Sequence, residues 1–327
     1  MCGTSAGNGN DGYASFQTLI MTVKQKAYIG LVATSILWGT SWVASKIAVQ
    51  QGVPGLEVAA IRQFLGGSLF VAFFLIRGEK LPTFKQLLWL TGMGMLLFVI
   101  ANGFATVALL YIPSGLAALI AALYPLSVVV IEKLFFKNTK ITAITFIGML
   151  LGITGIGFVF YDNAFHNYTE GYIWGLILSV IAMLSWSVGT IIIARNKVKM
   201  NAYNATGWQM LMGSFVLMIM TLVSGKSIPL TSIPANTWLA ITYLVLASSI
   251  VAFVAFIYTM KHLEPAIASL YAYMNPLVAI LLGTMITNEK LTINILIGSL
   301  ITLIGVFLVN RSLKKQREQA LADVDAM

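Results

Sequence analysis

Apolar residues run along this chain in stretches of about 20, the length that crosses a bilayer as a helix, separated by short clusters of charge, Pro and Gly. These interruptions predict ten helices, over 27–49, 56–76, 84–110, 114–136, 141–161, 171–194, 202–224, 236–260, 265–287 and 292–310. The third and fourth come from one uncharged run, Gln86 to Ile131, too long for a single span. Tyr111-Ile112-Pro113-Ser114-Gly115 supplies the turn between them, because Pro ends a helix and Gly tolerates positive φ.

The pattern is written twice. A shift of 151 positions matches Ala117, Leu119, Ala121, Pro125 and Leu126 to Ala268, Leu270, Ala272, Pro276 and Leu277. A shift of 150 matches Ile147, Gly148, Leu150, Gly155 and Val159 to Ile297, Gly298, Leu300, Gly305 and Val309. The expected architecture is an all-α integral membrane protein of two five-helix repeats, 27–161 and 171–311. Residues 1–22 form a polar, disordered extension and 312–327 a tail. Residues 1–20 lack the basic and apolar regions of a signal peptide. An odd number of helices per repeat makes the second copy enter the membrane from the opposite side, the inverted arrangement that alternating access uses.

Composition agrees with a bilayer: 58% of residues are hydrophobic and 9% charged, against roughly 25% charged in soluble domains. Mean hydropathy is +0.88. The single cysteine, Cys2, excludes an internal disulfide and a Cys-based zinc site. His166 and His262 are expected in connecting segments, so neither a metal nor another cofactor is expected. With a cytoplasmic N-terminus, sixteen of the 20 Lys and Arg residues fall on the inner side, and only Lys46, Arg62, Lys226 and Lys290 on the outer. That bias places both termini in the cytoplasm. The net charge of +9 then reflects topology and anionic lipid rather than nucleic acid.

Polar residues within spans face a cavity or a neighbouring helix, because lipid cannot solvate them. Thr34, Trp38, Ser41 and Ser45 lie on one face of helix 1, and Ser179, Met183, Trp186 and Thr190 repeat the pattern in helix 6. Trp38 and Trp186 correspond between copies, as pocket walls or as packing and interface tryptophans. Helix 2 carries Arg62-Gln63 and helix 7 Trp208-Gln209, again in register. Arg62 is either a carboxylate-binding group at the cavity mouth or a residue turned outward or paired with Glu57. Gln63, Gln209, Asn102, Asn275, Tyr124, Tyr271 and Tyr273 are neutral hydrogen-bonding candidates.

Pro125 and Pro276 are a matched pair of helix-interior prolines, read either as gate hinges or as simple curvature. Gly148, Gly152 and Gly155, with Gly298, Thr302 and Gly305, form small-residue faces suited to a packing scaffold or a homodimer contact. No Asp or Glu lies at mid-span, since Glu57, Glu132, Glu264 and Glu289 all fall near helix ends. That inventory suits a neutral or zwitterionic solute with an apolar or aromatic side chain.

Leu37-Trp38-Gly39-Thr40-Ser41-Trp42, Arg62-Gln63-Phe64 and the segments Ala105 to Phe160 and Thr259 to Asn310 resemble the two EamA-type repeats of the drug/metabolite transporter superfamily. Ala268 to Ala279 followed by Asn288-Glu289-Lys290-Leu291 is especially similar to that family's ninth helix and its Gly-Glu-type ending. The resemblance implies a ten-helix exporter with a central cavity lined from both copies and helices 5 and 10 set aside. It also implies that some members couple transport to protons. The chain departs from the pattern at Lys137-Asn138-Thr139-Lys140, which replaces the usual Gly-Glu-Arg-like ending of the first copy, and at Asn288, which replaces Gly.

The reading with most support is a secondary transporter in a bacterial inner membrane that exports amino acids or related small metabolites. Substrate contacts are expected from Trp38, Ser41, Arg62, Gln63, Asn102, Trp186, Gln209, Tyr271 and Asn275. Multidrug efflux of lipophilic cations is weakened by the absence of a mid-span carboxylate. An intramembrane lipid-modifying enzyme lacks convergent acid, base or nucleophile groups.

Overall fold

The computed structural model describes residues 21–136, 141–166, 170–195, 200–263, 265–268 and 270–325. The extension at 1–20, the departing loop at 137–140, Lys197, Lys199 and Glu264 lie outside these residues. Among the described residues ten apolar helices follow one another: α1 Val23–Gln50, α2 Gly55–Ile76, α3 Phe84–Ala108, α4 Ser114–Phe135, α5 Ala143–His166, α6 Tyr172–Arg195, α7 Ala202–Val223, α8 Ala235–His262, α9 Tyr271–Ile286 and α10 Ile293–Asp325. Among the described residues no strand is present. All but α9 are long and apolar enough to span a membrane alone, and α9 is preceded by the single turn Pro265–Ala268.

Local chemistry sets the boundaries. Thr22 and Thr83 cap α1 and α3 through reciprocal bonds with Gln25 and Gln86, so that two otherwise orphaned N–H groups are satisfied at each end. Pro54, Pro113 and Pro234 open α2, α4 and α8, where the missing N–H costs no helix bond. The expected turn at Tyr111–Gly115 is thus observed, with Pro113 as its last residue before α4. His166 and His262 end α5 and α8 rather than lying in loops.

The two halves exchange partners evenly. α1 packs on α8 and α9 of the second half, and α6 packs on α3 and α4 of the first. The equivalent helices α2 and α7 pack on each other, as do α5 and α10. In the α5–α10 pair, a Cβ added at Gly148 would sit 2.6 Å from the Gly305 carbonyl oxygen, and one at Gly155 would sit 2.5 Å from that of Gly298. The equivalent residues return the contact, Gly298 against Gly155 and Gly305 against Gly148. Gly148 therefore meets the counterpart of Gly155, and Gly155 the counterpart of Gly148, as in a two-fold interface. Their small faces are consumed within the chain, while Phe146, Leu150, Leu300 and Phe307 on the outer side are exposed.

One end of the bundle is tied by charge as well as by apolar packing. Lys46 of α1 donates to the carbonyls of Leu109 (2.5 Å) and Ile112 (3.0 Å) at the C-terminal end of α3. Glu289 accepts from the N–H of Ser114 (2.7 Å) and Gly115 (3.4 Å) at the N-terminus of α4. A cation thus sits at a helix C-terminus and an anion at an N-terminus, both favoured by the helix dipole. Asn288 adopts φ +53°, which directs Glu289 back toward α4 and explains Asn where the family pattern has Gly, since Asn tolerates left-handed backbone. Glu57 accepts from Ser227 Oγ and the Ile228 N–H, fastening α2 to the α7–α8 loop. Around these anchors lies the largest apolar cluster, including Val49, Val53, Ile112, Leu116 and Ile241.

Replacing Gly155 by Val is expected to lower the stability of the detergent-solubilised protein by about 1–3 kcal/mol through overpacking. Gly157→Val, whose Cβ would meet open space, should leave the thermal midpoint unchanged. Equal midpoints for both variants would dissolve the α5–α10 argument.

Candidate functional site

Between the halves lies a central cavity with about 1080 Å³ of empty space, its open mouth included. α1 presents Trp38, Ser41 and Ser45 to it along one face, and α6 presents Ser179, Met183 and Trp186. Thr34 and Thr190, the outer members of each row, bond to backbone carbonyls instead, Thr34 to Ala252 and Thr190 to Trp186 and Ser187. Arg62, Asn102, Thr106, Tyr124, Tyr271 and Asn275 complete the polar lining. The rest of the lining is mostly Ala, at 101, 105, 117, 118, 121, 122, 182 and 272, whose small side chains create the space, with Trp42, Leu109 and Phe253.

An aromatic wall is centred on Trp38. Its ring lies 5.1 Å from Phe253, 4.9 Å from Phe256 and 5.2 Å from Tyr271, in edge-on or tilted arrangements. Its Nε1–H donates to the Ser248 carbonyl at 3.2 Å, fixing the indole plane. Trp186 packs, like Trp38, against one apolar cluster that includes Phe98, Met210 and Phe253. The two corresponding tryptophans of the repeats therefore share one pocket.

Arg62 is 6% exposed and points inward. Its Nε donates to Ser249 Oγ at 3.0 Å, Nη2 to Ser248 Oγ at 3.0 Å and Nη1 to Asn102 Oδ1 at 3.3 Å. Of the two sequence alternatives, an outward or Glu57-paired Arg62 is not observed, because Glu57 bonds Ser227 and Ile228. All three partners of Arg62 lie in π-helical stretches, Asn102 in Met95–Gly103 of α3 and the two serines in Leu244–Val251 of α8. The stretches occupy equivalent places in the two halves. A π-turn adds a residue to the helical turn, which re-aims side chains and recurs at functional sites. Ser248 and Ser249 were not among the sequence candidates. Their signal was the paired serines in the otherwise apolar Leu246-Ala247-Ser248-Ser249-Ile250-Val251.

Asn275 is best satisfied with its amide nitrogen donating to Ser35 O at 2.9 Å and Tyr271 O at 3.1 Å. That orientation bridges α9 to α1 beside the cavity. Pro125 is not helix-interior: α4 breaks after Ala121 and resumes at Tyr124, so Pro125 occupies the first turn of the resumed segment, where proline is tolerated. Pro276 does lie within α9. Each proline nitrogen denies a hydrogen bond to the carbonyl four residues earlier. Those residues, Ala121 and Ala272, both line the cavity.

Gln63 and Gln209 are placed apart from this site. Both are buried within the protein, and neither lines the cavity. The helix periodicity that turns Arg62 to the cavity turns its neighbour Gln63 away. Tyr273 also points elsewhere, donating to the Val306 carbonyl on α10 and accepting from Asn310.

Comparison with known proteins gives a consistent account. The model of the EamA-like transporter family matches residues 25–161 and 173–311. The uncharacterized inner membrane transporter YedA of Escherichia coli (strain K12) is 36% identical over 264 residues, covering 80% of this chain and 83% of its own length. The uncharacterized transporter YoaV of Bacillus subtilis (strain 168) is 23% identical, covering 86% of this chain and 96% of its own. A solved crystal structure at 19% identity superimposes with a TM-score of 0.62 over 88% of this chain and 98% of that one, which shows a shared fold.

Because Cys2 is the single cysteine, a Cys2→Ser background allows the lining to be mapped. Ser179→Cys and Ala272→Cys are expected to react with a small water-soluble thiol reagent. Ser214→Cys, at a buried position off the cavity, is expected to stay unlabelled in the folded protein. Labelling that does not separate the two groups would displace the cavity.

Proposed function

The chain belongs to the EamA-like transporter family, and we propose that it is a secondary transporter that exports amino acids or related small metabolites by alternating access. The observation that carries this is the central cavity between two matched repeats, walled by Trp38 and Trp186 and lined by neutral polar groups and one cation. Aromatic faces hold apolar or aromatic side chains. Amides and hydroxyls at Asn102, Ser41, Tyr271 and Asn275 supply orienting hydrogen bonds. Sites of this kind at a repeat interface are what alternating access requires.

The repeats are inverted in this reading. Five helices per copy and the reciprocal glycine contact of α5 with α10 both support it. Both termini are cytoplasmic, on the bias of Lys and Arg to one side, and the membrane is the bacterial inner membrane, by analogy with YedA. Pro125, just after the break in α4, and Pro276, within the continuous α9, are the hinges at which these helices bend as the cavity changes sides. Among the described lining residues there is no His, Cys, Asp or Glu, which weighs against an intramembrane enzyme and against an efflux pump for lipophilic cations.

Purified protein in proteoliposomes is expected to exchange a labelled neutral amino acid from a panel of aromatic and aliphatic ones. Trp38→Ala and Trp186→Ala should each reduce that exchange by about tenfold or more, equivalent to about 1.4 kcal/mol, with normal yield in the membrane. Undiminished exchange in both variants would remove the pocket assignment. For topology, Lys80→Cys and Lys226→Cys occupy the equivalent turns α2–α3 and α7–α8. They are expected to be labelled from opposite sides of intact cells, and labelling from one side would end the inverted reading.

A further inference from the structure

Arg62 carries a permanent charge in the interior of a membrane bundle, and nothing among the described residues neutralises it. A guanidinium has five N–H donors; three are used, on Ser248, Ser249 and Asn102, all neutral. Such partners hold the group in place without cancelling its charge, and an unpaired charge away from water is costly to keep. Glu57, the acidic residue of the same helix, is committed to the α7–α8 loop. Among the described residues no Asp or Glu lines the cavity.

Unused donors line the same cavity. Two N–H groups of Arg62 and the amide nitrogen of Asn102 make no hydrogen bond within the described residues, and both side chains line the cavity. The Ser179 hydroxyl, on a residue 6% exposed in the cavity wall, is buried without a partner. Buried polar atoms are normally satisfied, and an orphan calls for a missing partner. Here the orphans are weighted toward donors, beside a positive charge, within a pocket that also holds the aromatic wall of Trp38.

We infer that this corner is an anion subsite, in which a carboxylate of the cargo accepts from the two free N–H groups of Arg62, from Asn102 Nδ2 and from the Ser179 hydroxyl. The inference rests on the transporter reading and narrows it. The carboxylate is an obligatory part of the cargo, and its apolar or aromatic body lies against Trp38, Phe253 and Tyr271. Ser248 and Ser249 act as positioning residues that present the planar guanidinium edge-on, the geometry in which it grips a carboxylate with two parallel bonds. A cation of the same shape is rejected by repulsion and a neutral amide by the uncompensated charge.

The test measures binding to the full-length protein in detergent by intrinsic tryptophan fluorescence and by ligand-induced thermal shift. The probes are 3-phenylpropionate, 3-phenylpropanamide, L-phenylalanine and phenethylammonium. The wild type is expected to bind 3-phenylpropionate and L-phenylalanine at least about tenfold more tightly than the amide, and phenethylammonium not at all. Arg62→Gln should abolish the preference of acid over amide. If that variant does not fold, Ser179→Ala and Asn102→Ala should each weaken the acid several-fold without changing affinity for the amide. Equal binding of acid and amide by the wild type, or a folded Arg62→Gln protein that keeps the preference, would overturn the subsite. Proteoliposome uptake of labelled 3-phenylpropionate separates the two claims. An acid preference in binding without uptake sinks the carrier reading and leaves the subsite. Uptake of acid and amide alike sinks the subsite and leaves the carrier.

Discussion

Inside a bilayer no water reaches a polar group, so every charge and every broken backbone bond must be answered by the protein itself. Four side chains show how this chain meets that constraint. Lys46 finds the carbonyls that end α3, and Glu289 finds the N–H groups that begin α4. Glu57 finds the N–H of Ile228 on a loop of the other half. In these three, charge is matched to a backbone end and the result is a tie between helices. Arg62 differs, because its partners are hydroxyls and an amide oxygen. The architecture answers its hydrogen bonds and leaves its charge unanswered.

The same constraint explains how much was legible in the sequence. Spans must be apolar and uninterrupted, so the ten helices and most of their ends could be read from charge, Pro and Gly. Duplication was legible because close helix contacts need small residues at fixed positions, as the Gly148–Gly305 and Gly155–Gly298 approaches illustrate. Trp38, Ser41, Arg62, Asn102, Trp186, Tyr271 and Asn275 do surround one cavity. Polarity in a span restricted each of them to the interior, and helix spacing put the α1 and α6 rows on single faces.

What the sequence did not disclose has a common physical origin. Gln63 and Gln209 are as polar as the lining residues, yet polarity tells only that a side chain avoids lipid, and both face helix contacts instead of the cavity. The π-helical stretches in α3 and α8 have no composition of their own. They arise from how neighbouring helices pack, so the convergence of Asn102, Ser248 and Ser249 on Arg62 became visible only in three dimensions. Pro125 was misplaced by a few residues for the same reason: a helix in tertiary contact breaks where packing permits, just ahead of the ring that cannot continue it.

α10 runs as one helix of 33 residues, about 50 Å at 1.5 Å per residue, whereas the hydrocarbon layer is about 30 Å thick. About two-fifths of its length therefore exceeds that layer, stiffened by the Lys314–Glu318 pair one turn apart. Arg311, Lys314 and Lys315 form a collar where it leaves the apolar region, and such anchors set the depth and tilt of a helix together with its packing neighbours. Locked to α5 by backbone-to-backbone glycine contacts, the protruding rod behaves as a shaft. By geometry alone, any change in the angle of the buried pair would reach the aqueous end as a larger lateral displacement.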